Sequence, residues 1–335
     1  MSSRQLLPSL LGVVVASVAA YLALKDIDAQ ALFAALASAQ YFYVVPSLAL
    51  SALGYAVRAW RWQIIIAPAR QIPLRAIFPT IVIGFAWNVA IPLRIGELVR
   101  AHLLGQRYLV SRSTLLATIV VERVLDGVGI MAILSLVAWL SPDLPEWAGD
   151  LTRAAWLLFG AAVAGLILVA VSESFALAVL KAITTHLPRA VAGRIDRLAL
   201  SFVQGFSAVR SPARLLQLAV STLAVWFVEV ASYAVLFPAF GLRFDAAGFI
   251  SAACFYAVVL NLSTLIPSSP GFIGTMQYFG KLALSAFGIE PALALSMSVV
   301  SHAVQLAVVA LLGAWALWHE GLSLKGLKQV TAQVE

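Results

Sequence analysis

Long apolar stretches separated by short polar or charged segments form the main pattern of this chain. Six of these stretches approach or exceed the roughly 20 residues that an α-helix needs to cross a bilayer. They cover residues 6–24, 42–57, 114–140, 154–171, 215–237 and 292–318. No alternating pattern of the kind found in membrane β-barrels accompanies them. The pattern therefore predicts an all-α fold built from membrane-spanning helices.

Two further apolar stretches, 77–104 and 246–287, are interrupted by residues that stop and restart helices. The first interruption reads NVAIPLRIGE (88–97), and the second reads NLSTLIPSSPGFIG (261–274). When Pro92 is aligned with Pro270, Gly96 is aligned with Gly274. Broken helices at corresponding places in two halves of a membrane protein are the best sequence indication of a transport site. The predicted structural breaks are Asn88, Pro92, Gly96, Asn261, Pro267 and Pro270.

Composition supports a membrane environment for this pattern. Hydrophobic residues make up 62% of the 335 residues and charged residues 11%, with a mean hydropathy of +0.97. A soluble domain carries about 25% charged residues, so the chain is predicted to be an integral membrane protein. Cys254 is the single cysteine, which excludes an intrachain disulfide. The CxxC spacing of metal sites is absent, and no metal or cofactor is expected.

Basic residues between the apolar stretches predict the orientation, because Lys and Arg in short loops stay on the cytoplasmic side. The segment 141–150 contains three acidic residues and no basic residue, so it is predicted to lie outside. The segments predicted to be cytoplasmic carry Arg58, Arg61, Arg70 and Arg75, the basic residues of 181–214, and Lys325 and Lys328. We therefore expect a multi-pass protein of the cytoplasmic (inner) membrane with both termini on the cytoplasmic side.

The interrupted stretches decide the predicted topology. Arg75 precedes the first stretch and Arg107 and Arg112 follow it, so it should enter and leave on the cytoplasmic side as a re-entrant hairpin. The second stretch should enter from the opposite face. This predicts one polytopic domain, 1–335, made of two inverted repeats, 1–140 and 151–320. Each repeat holds about three transmembrane helices plus one re-entrant broken-helix hairpin, about eight membrane segments in all.

Non-helical backbone is tolerated at membrane depth only inside protein or beside a wet cavity. The hairpin tips are therefore expected to meet in the interior. The alternative is that both stretches are ordinary kinked spans in which Pro and Gly serve packing alone. The N-terminal stretch also resembles a signal peptide, but we favour an uncleaved span because its removal would unbalance the two halves.

Residues 176–210 are predicted to form cytoplasmic amphipathic helices. Ile195, Leu198, Phe202, Phe206 and Val209 recur every three or four residues, which is typical of one helix face. Such a helix lies on the cytoplasmic leaflet or packs on the protein itself. The net charge of +7 suits an anionic lipid surface better than nucleic acid.

Ionisable residues at membrane depth are the candidates for chemistry. Each costs about 2.5–3.5 kcal/mol near the bilayer centre, so they should face the interior in pairs. Glu122 and Asp126 share a helix face at i, i+4, where like charges repel unless a cation intervenes. Arg94 or Arg100 could supply that cation, and Arg123 is an i, i+3 neighbour of Asp126. The candidate substrate-binding residues here are Arg94, Glu97, Arg100, Glu122, Arg123 and Asp126.

Two interpretations of these charges remain open. Three basic and three acidic side chains sum to zero and could form a purely structural ion-pair lock. Alternatively, the arginines hold an anionic headgroup while a carboxylate takes up or releases a proton. Arginine suits this second role because its planar fork binds phosphate oxygens bidentately and stays charged.

The second interruption predicts an anion site of another kind. Ser269 is a good N-cap and Pro270 a good first helical residue, so a half-helix should begin near Pro270. Its free amides would attract phosphate, although the break could also do no more than turn the chain. The candidate substrate-binding residues here are Ser268, Ser269, Gly271, Gly274 and Gln277.

Four other polar positions have predicted roles. Glu229, in the 215–237 span, and His302, in the last span, are candidates for a proton relay. A lone histidine in a helix bundle is more often a satisfied hydrogen-bond partner. Asn88 and Asn261 precede the two breaks, and they are expected to be structural, capping carbonyls that the breaks free.

Taken in order, three motifs resemble the lysylphosphatidylglycerol synthase transmembrane-region family of flippase-like membrane proteins. They are the run 88–104, then ERVLD at 122–126, then PSSPGFIG at 267–274. The resemblance covers nearly the whole chain and implies movement of an amphiphilic lipid between leaflets. Members include the membrane half of the bifunctional enzyme that makes and flips lysyl-phosphatidylglycerol, and relatives associated with polyprenyl-linked glycan or hopanoid pathways. The sequence given ends at Glu335 without the soluble aminoacyl-transferase domain, so lysine transfer is not expected from it.

Two functions are therefore expected from the sequence. The first is a lipid transporter rather than an enzyme, which translocates an anionic phospholipid or polyprenyl-phosphate-linked lipid, with proton or ion coupling as an option. It needs no nucleotide of its own, because the sequence has no P-loop. The alternative is an intramembrane enzyme, or an accessory subunit of a lipid-linked glycosyltransferase pathway, acting on a lipid phosphate. Expected partners are the lipid and a glycosyltransferase or lipid-synthesis enzyme, with no nucleic acid.

Overall fold

The computed structural model describes residues 3–91, 95–171 and 205–322, and these residues form helices without any strand. Several predictions fall on positions outside the described residues. They concern Pro92 and Arg94 of the first interruption, most of the amphipathic segment 176–210, and the tail with Lys325 and Lys328. The part of that amphipathic segment that is described includes Phe206, which is buried, and Val209, which packs on the same core.

Eleven α-helices are present in the described part of the chain. They are α1 (Ser3–Leu24), α2 (Ala29–Ser38), α3 (Val44–Ile66), α4 (Leu74–Ala90), α5 (Gly96–Tyr108), α6 (Arg112–Leu140), α7 (Glu146–Val171), α8 (Pro212–Ala234), α9 (Ala246–Ser263), α10 (Thr275–Ser285) and α11 (Pro291–His319). Among the described residues, five segments are long and apolar enough to cross a membrane: Tyr41–Ile66, Glu146–Leu168, Pro212–Phe240, Ala246–Ser263 and Pro291–His319. The prediction of an all-α, multi-pass membrane protein is confirmed.

Side-chain oxygens accept hydrogen bonds from free amides at the start of several helices, as the preference for Asp and Ser at N-caps predicts. Asp28 caps α2, Ser111 caps α6 and Asp245 caps α9. Glu290 accepts from two amides at the start of α11. These caps fix where each helix begins after a polar loop.

The packing centres on α3, α9 and their neighbours. The contact of α3 with α8 is the most extensive between any two described helices, and α3 also packs on α4, α6 and α11. The helix α9 packs on α6, α8 and α10, and eleven of its eighteen residues are buried. By contrast, only 6% of the residues in the most apolar part of α7 are buried inside the protein, which leaves an apolar face for lipid.

Each predicted interruption separates two helices that pack on each other. The pair α4 and α5 and the pair α9 and α10 are both in contact. Gly96 approaches α4 so closely that a Cβ there would overlap the carbonyl oxygen of Gly84. At 1.5 Å per residue, α4 is about 25 Å long and α5 about 20 Å, both shorter than the roughly 30 Å hydrocarbon core.

Two element boundaries predicted from the sequence are wrong, and one helix, α2, was not predicted. The second span was expected to end at residue 57, but α3 continues to Ile66, so Arg58 and Arg61 lie inside a helix rather than in a cytoplasmic loop. The helix after the second interruption begins at Thr275 and not at Pro270.

Candidate functional site

A cavity of about 150 Å³ lies where the two interrupted segments come together. Asn88 faces it from the end of α4, and Asn261, Thr264 and Phe272 face it from the second interruption. The remaining lining comes from α3, α4, α6, α8, α9, α10 and α11. A buried water molecule needs about 10–15 Å³ of cavity volume, so this cavity has room for several water molecules. Irregular backbone beside a polar cavity is the arrangement that a membrane interior tolerates.

One wall of the cavity carries an ion pair between α3 and α8. Arg58 Nη2 donates to Glu229 Oε2 at 2.9 Å, and both side chains are about 15% exposed. Asn261 Nδ2 donates to the other carboxylate oxygen, Glu229 Oε1, at 3.2 Å. The Arg58 guanidinium also lies 5.8 Å from the centre of the Phe85 ring. Both oxygens of Glu229 are therefore occupied by protein donors.

A second and larger group of charges, which we call the α6 cluster, surrounds the middle of α6. It consists of Arg61, Arg100, Glu122, Arg123 and Asp126. The side chain of Glu122 is fully buried and lies 2.6 Å from Arg123, 3.0 Å from Arg100 and 3.9 Å from Arg61. Arg61 donates to Asp126 Oδ1 at 2.6 Å, and Arg123 Nη1 lies 3.3 Å from Asp126 Oδ2.

The contacts of the α6 cluster bear directly on the predicted pairings. The predicted i, i+3 contact of Arg123 with Asp126 is confirmed. Arg100 contacts Glu122, as expected of a cation from the first interrupted stretch. Arg61, however, is the residue of α3 that reaches both Glu122 and Asp126. The position of Arg94 lies outside the described residues.

The α6 cluster has more hydrogen-bond donors than acceptors. Three guanidiniums face two carboxylates, which leaves one positive charge in excess within the cluster. Within the described residues, Nε and Nη1 of Arg61, Nη2 of Arg100 and Nε of Arg123 are buried without a hydrogen bond, while Arg100 Nη1 has its ion-pair contact with Glu122 Oε2 at 3.0 Å. Glu97, one turn before Arg100, has a buried Oε2 that also lacks one. Buried polar groups normally find a partner, so this cluster has capacity for acceptor atoms of a ligand or of water.

Arg100 and Trp62 connect the cluster to the surrounding core. The Arg100 guanidinium lies 4.7 Å from the centre of the Trp62 ring, a cation–π geometry. The Trp62 indole donates to Thr118 Oγ1 at 3.0 Å, one helical turn before Glu122. The cluster is therefore held by packing from α3 and α5 as well as by charge.

Arg58 and Arg61 are the site residues that sequence reasoning missed. Both were assigned to a cytoplasmic loop because basic residues usually mark one. A usable signal was present, because the apolar run continues as Trp62 and Ile64–Ile66 immediately after Arg61. Positions 58 and 61 also lie on one helix face at i, i+3, where two cations would need buried partners.

The first interruption uses Asn88 as an acceptor. Its Oδ1 accepts from the amide of Gly96 at 2.8 Å, so Asn88 satisfies an amide that the break frees, and a role in capping a freed carbonyl stays a prediction. Asn261 does donate to a backbone carbonyl, that of Ala257, at 3.0 Å. The first amide of α5 is thus already bonded to a side chain within the protein.

The second interruption is built differently from the predicted half-helix. Gly271 and Gly274 have φ of 73° and 88°, in the left-handed region that favours glycine. Ser269 does not cap a helix but donates to the Ile273 carbonyl at 3.0 Å. The amide of Gly274 donates to Gln277 Oε1 at 2.7 Å, so the side chain of α10 itself satisfies it.

The candidate residues divide by position. Those that line the cavity are Arg123, Asp126, Glu229, His302, Asn88 and Asn261. Glu97, Arg100 and Glu122 are not part of the lining, and neither are Ser268, Ser269, Gly271, Gly274 and Gln277.

Residues of the second interruption pack on α1 instead. Gly274 approaches Ala16, and Ser268 approaches Gly12. Gly96 and Gly274, which align in the sequence, therefore pack against different helices.

The two candidates for a proton relay both line the cavity, and each forms hydrogen bonds with different partners. His302 Nδ1 forms a hydrogen bond with Gln277 Nε2 at 2.8 Å, which links α11 to α10. Glu229 is bonded to Arg58 and Asn261. A relay between them stays a prediction. Within the described residues, no group of three or more His, Cys, Asp or Glu side chains is placed to hold a metal ion.

Comparisons with known proteins provide independent evidence on the family of this chain. A family model described as the lysylphosphatidylglycerol synthase TM region matches residues 9–313. The chain is 26% identical over 276 residues to a protein named glycosyltransferase AglD from Haloferax volcanii, a match that covers 74% of this chain and 44% of that one. It is 23% identical over 318 residues to a UPF0104 membrane protein from Methanothermobacter thermautotrophicus, covering 86% and 88%. The chain thus spans less than half the length of the first relative and most of the second.

Proposed function

Since the chain belongs to the lysylphosphatidylglycerol synthase TM region family, and since its two interrupted segments line one charged cavity, we propose that it translocates a lipid. The substrate is an amphiphilic lipid with an anionic, phosphate-bearing headgroup, and it moves between the leaflets of the cytoplasmic membrane. The headgroup occupies the cavity while the tails stay in the bilayer. The family assignment supports the membrane setting, and the cavity supports the transport role.

The observation that carries this proposal is the position of Arg123. Its side chain is 35% exposed and lines the cavity together with Asp126, while Arg61, Arg100 and Glu122 are buried outside the lining. Its Nε lacks a hydrogen bond among the described residues, and Arg61 and Arg100 nearby have further free donors. Guanidinium groups bind phosphate oxygens through parallel N–H donors. A headgroup phosphate that enters the cavity would therefore find the Arg123 guanidinium in its wall.

The proposal includes an inverted repeat in which α3–α6 correspond to α8–α11, with α4–α5 and α9–α10 as re-entrant hairpins. Packing supports this correspondence, because the contact of α4 with α11 has its counterpart in that of α9 with α6. The contact of α3 with α4 likewise matches that of α8 with α9, and α3 packs on its own counterpart, α8. Both chain termini would then face the cytoplasm.

Cysteine labelling tests the first hairpin. In a Cys254→Ser background, single cysteines replace Arg70, before α4, and Leu109, after α5; both positions are exposed. A re-entrant hairpin places both on one side of the membrane, so a membrane-impermeant maleimide should label both from the same face of right-side-out vesicles. Labelling from opposite faces would show a single kinked span and remove the inverted repeat.

A vesicle assay tests the transport function. Purified protein is reconstituted with fluorescent, acyl-labelled phosphatidylglycerol, and dithionite quenching reports the exchange of the lipid between leaflets. We expect exchange well above that of protein-free vesicles, and at least a tenfold loss in Arg123→Gln. The matched control is Arg153→Gln, because Arg153 is 74% exposed and pairs with Asp150 far from the cavity lining. A folded Arg123→Gln protein with an unchanged rate would contradict the proposal.

The name of one relative favours a second candidate. A chain whose matched part covers 44% of a protein named a glycosyltransferase could act as the membrane partner of such an enzyme. In that case a lipid phosphate would be presented for transfer rather than moved across the bilayer. The same vesicles, supplied with a polyprenyl phosphate and a glycosyltransferase, separate the two candidates. Product that depends on this chain without any redistribution of lipid supports the accessory role.

A further inference from the structure

Every carboxylate oxygen that lines the cavity is already engaged by a protein donor. Glu229 is held by Arg58 and Asn261. Asp126 is held by Arg61 at 2.6 Å through Oδ1 and faces Arg123 at 3.3 Å through Oδ2. Among the described residues, the cavity therefore presents no free carboxylate oxygen to a ligand. The free hydrogen-bonding atoms of the cluster around it are mostly donors.

Arg61 is placed so that it acts on the cavity only through Asp126. Its side chain is 0% exposed and does not line the cavity, whereas Asp126 does and is 20% exposed. Arg61 approaches Asp126 from α3 without joining the cavity lining, and it also lies 3.9 Å from Glu122. Without Arg61, Asp126 would keep Arg123 as its nearest cation and would gain a free oxygen at the cavity wall.

We propose that Arg61 determines the charge selectivity of the cavity: by occupying Asp126, it excludes headgroups that carry an ammonium and leaves the cavity to phosphate anions. This inference rests on the proposed lipid translocation. An ammonium that leaves water needs a carboxylate or several acceptors to offset its desolvation. A phosphate needs donors, and Arg123, whose Nε lacks a hydrogen bond among the described residues, lines the cavity. Arg61 is thus a positioning residue that need not touch the lipid.

The test compares two probes that share a phosphate and differ by an ammonium. Acyl-labelled phosphatidylglycerol and acyl-labelled phosphatidylethanolamine are reconstituted in parallel with the wild-type protein. We expect phosphatidylglycerol to exchange at least ten times faster. If neither lipid moves, the proposed translocation itself fails. If both move equally fast, translocation stands and the selectivity is overturned, and this comparison needs no variant.

The variant Arg61→Gln should lower the ratio of the phosphatidylglycerol rate to the phosphatidylethanolamine rate at least tenfold, because Asp126 becomes available to an ammonium. The double variant Arg61→Gln with Asp126→Asn removes both charges and should again exchange phosphatidylethanolamine slowly. A structural role for Arg61 would slow both probes together and leave their ratio unchanged. A folded Arg61→Gln protein with the wild-type ratio would therefore overturn the inference.

Free inorganic phosphate offers the cavity the same oxygen acceptors as a lipid headgroup phosphate. Inorganic phosphate in excess on both sides of the vesicles should leave the phosphatidylglycerol rate unchanged, because a tail-anchored phosphate reaches the cavity from the bilayer. A matching decrease in rate would assign the site to free phosphate and overturn the assignment to a lipid-borne phosphate.

Discussion

Replacing Glu122 by Gln tests whether the α6 cluster is held together by buried charge. Glu122 is 0% exposed and lies within 4 Å of the guanidiniums of Arg61, Arg100 and Arg123. The substitution preserves size and one acceptor oxygen but removes the negative charge. Asp126 is then the single carboxylate in the described cluster beside three guanidiniums. Breaking a buried ion pair by removing one partner costs about 3–5 kcal/mol.

The assay uses the single cysteine. Cys254 is 8% exposed and lies in α9, which packs on α6, so a thiol-reactive fluorescent dye reports when this region unfolds. At about 2 °C per kcal/mol, a loss of about 3–5 kcal/mol should lower the unfolding midpoint by about 6 °C or more. The control Asp150→Asn breaks the pair with Arg153 where both side chains are more than two-thirds exposed, and we expect no measurable shift.

A double variant separates charge from packing. Adding Arg100→Gln to Glu122→Gln removes one of the cations left without its partner, so the double variant should recover part of the lost stability. A coupling free energy between the two positions of about 1–3 kcal/mol is expected for groups in one network. If Glu122→Gln unfolds at the same temperature as the Asp150→Asn control, the reasoning about buried charge is refuted.

Two other substitutions give expected outcomes of different kinds. Gly96→Ala should destabilise the protein by about 1–3 kcal/mol, because the added Cβ would overlap a carbonyl oxygen of α4. The control is Gly160→Ala, whose added Cβ would have no atom within 4 Å, and it should show no loss of stability in the same dye assay. Lys281 Nζ donates to the carbonyls of Leu22 and Ala23, at 2.7 and 2.9 Å, at the end of α1. Lys281→Met should therefore speed amide hydrogen exchange in the last turn of α1 about tenfold, which corresponds to about 1.4 kcal/mol. Unchanged exchange there would show that the contact does not stabilise the end of α1.

The helical membrane architecture could be predicted because length and apolarity alone identify a spanning helix. Pro and Gly likewise mark where the two interrupted stretches break. The end of α3 could not be predicted in the same way, because its arginines match the usual signature of a cytoplasmic loop. What keeps Arg61 in the helix is Asp126, 65 residues later in the chain. No local pattern reports a partner at that distance.

In the candidate site, too, contacts between residues close together in the chain could be predicted, and contacts between distant residues could not. The contact of Arg123 with Asp126 was predictable because residues three apart share a helix face. The cation that joins Glu122 to Asp126 was not, because it arrives from another helix. The start of α10 was misplaced for a different reason. The Ser-Pro pair at 269–270 is a good local start signal, but Gly271 adopts a positive φ that ends the short turn and delays the helix to Thr275.

The arginines of α3 have a consequence for how the protein is made. Arg58 and Arg61 leave the ribosome long before their partners, because Asp126 follows Arg61 by 65 residues and Glu229 follows Arg58 by 171. Each unpaired cation near the bilayer centre costs about 2.5–3.5 kcal/mol. A nascent α3 is therefore expected to stay beside the translocon or at the membrane interface until α6 and α8 have been synthesised. Its final depth is set late in biogenesis, when the carboxylates arrive.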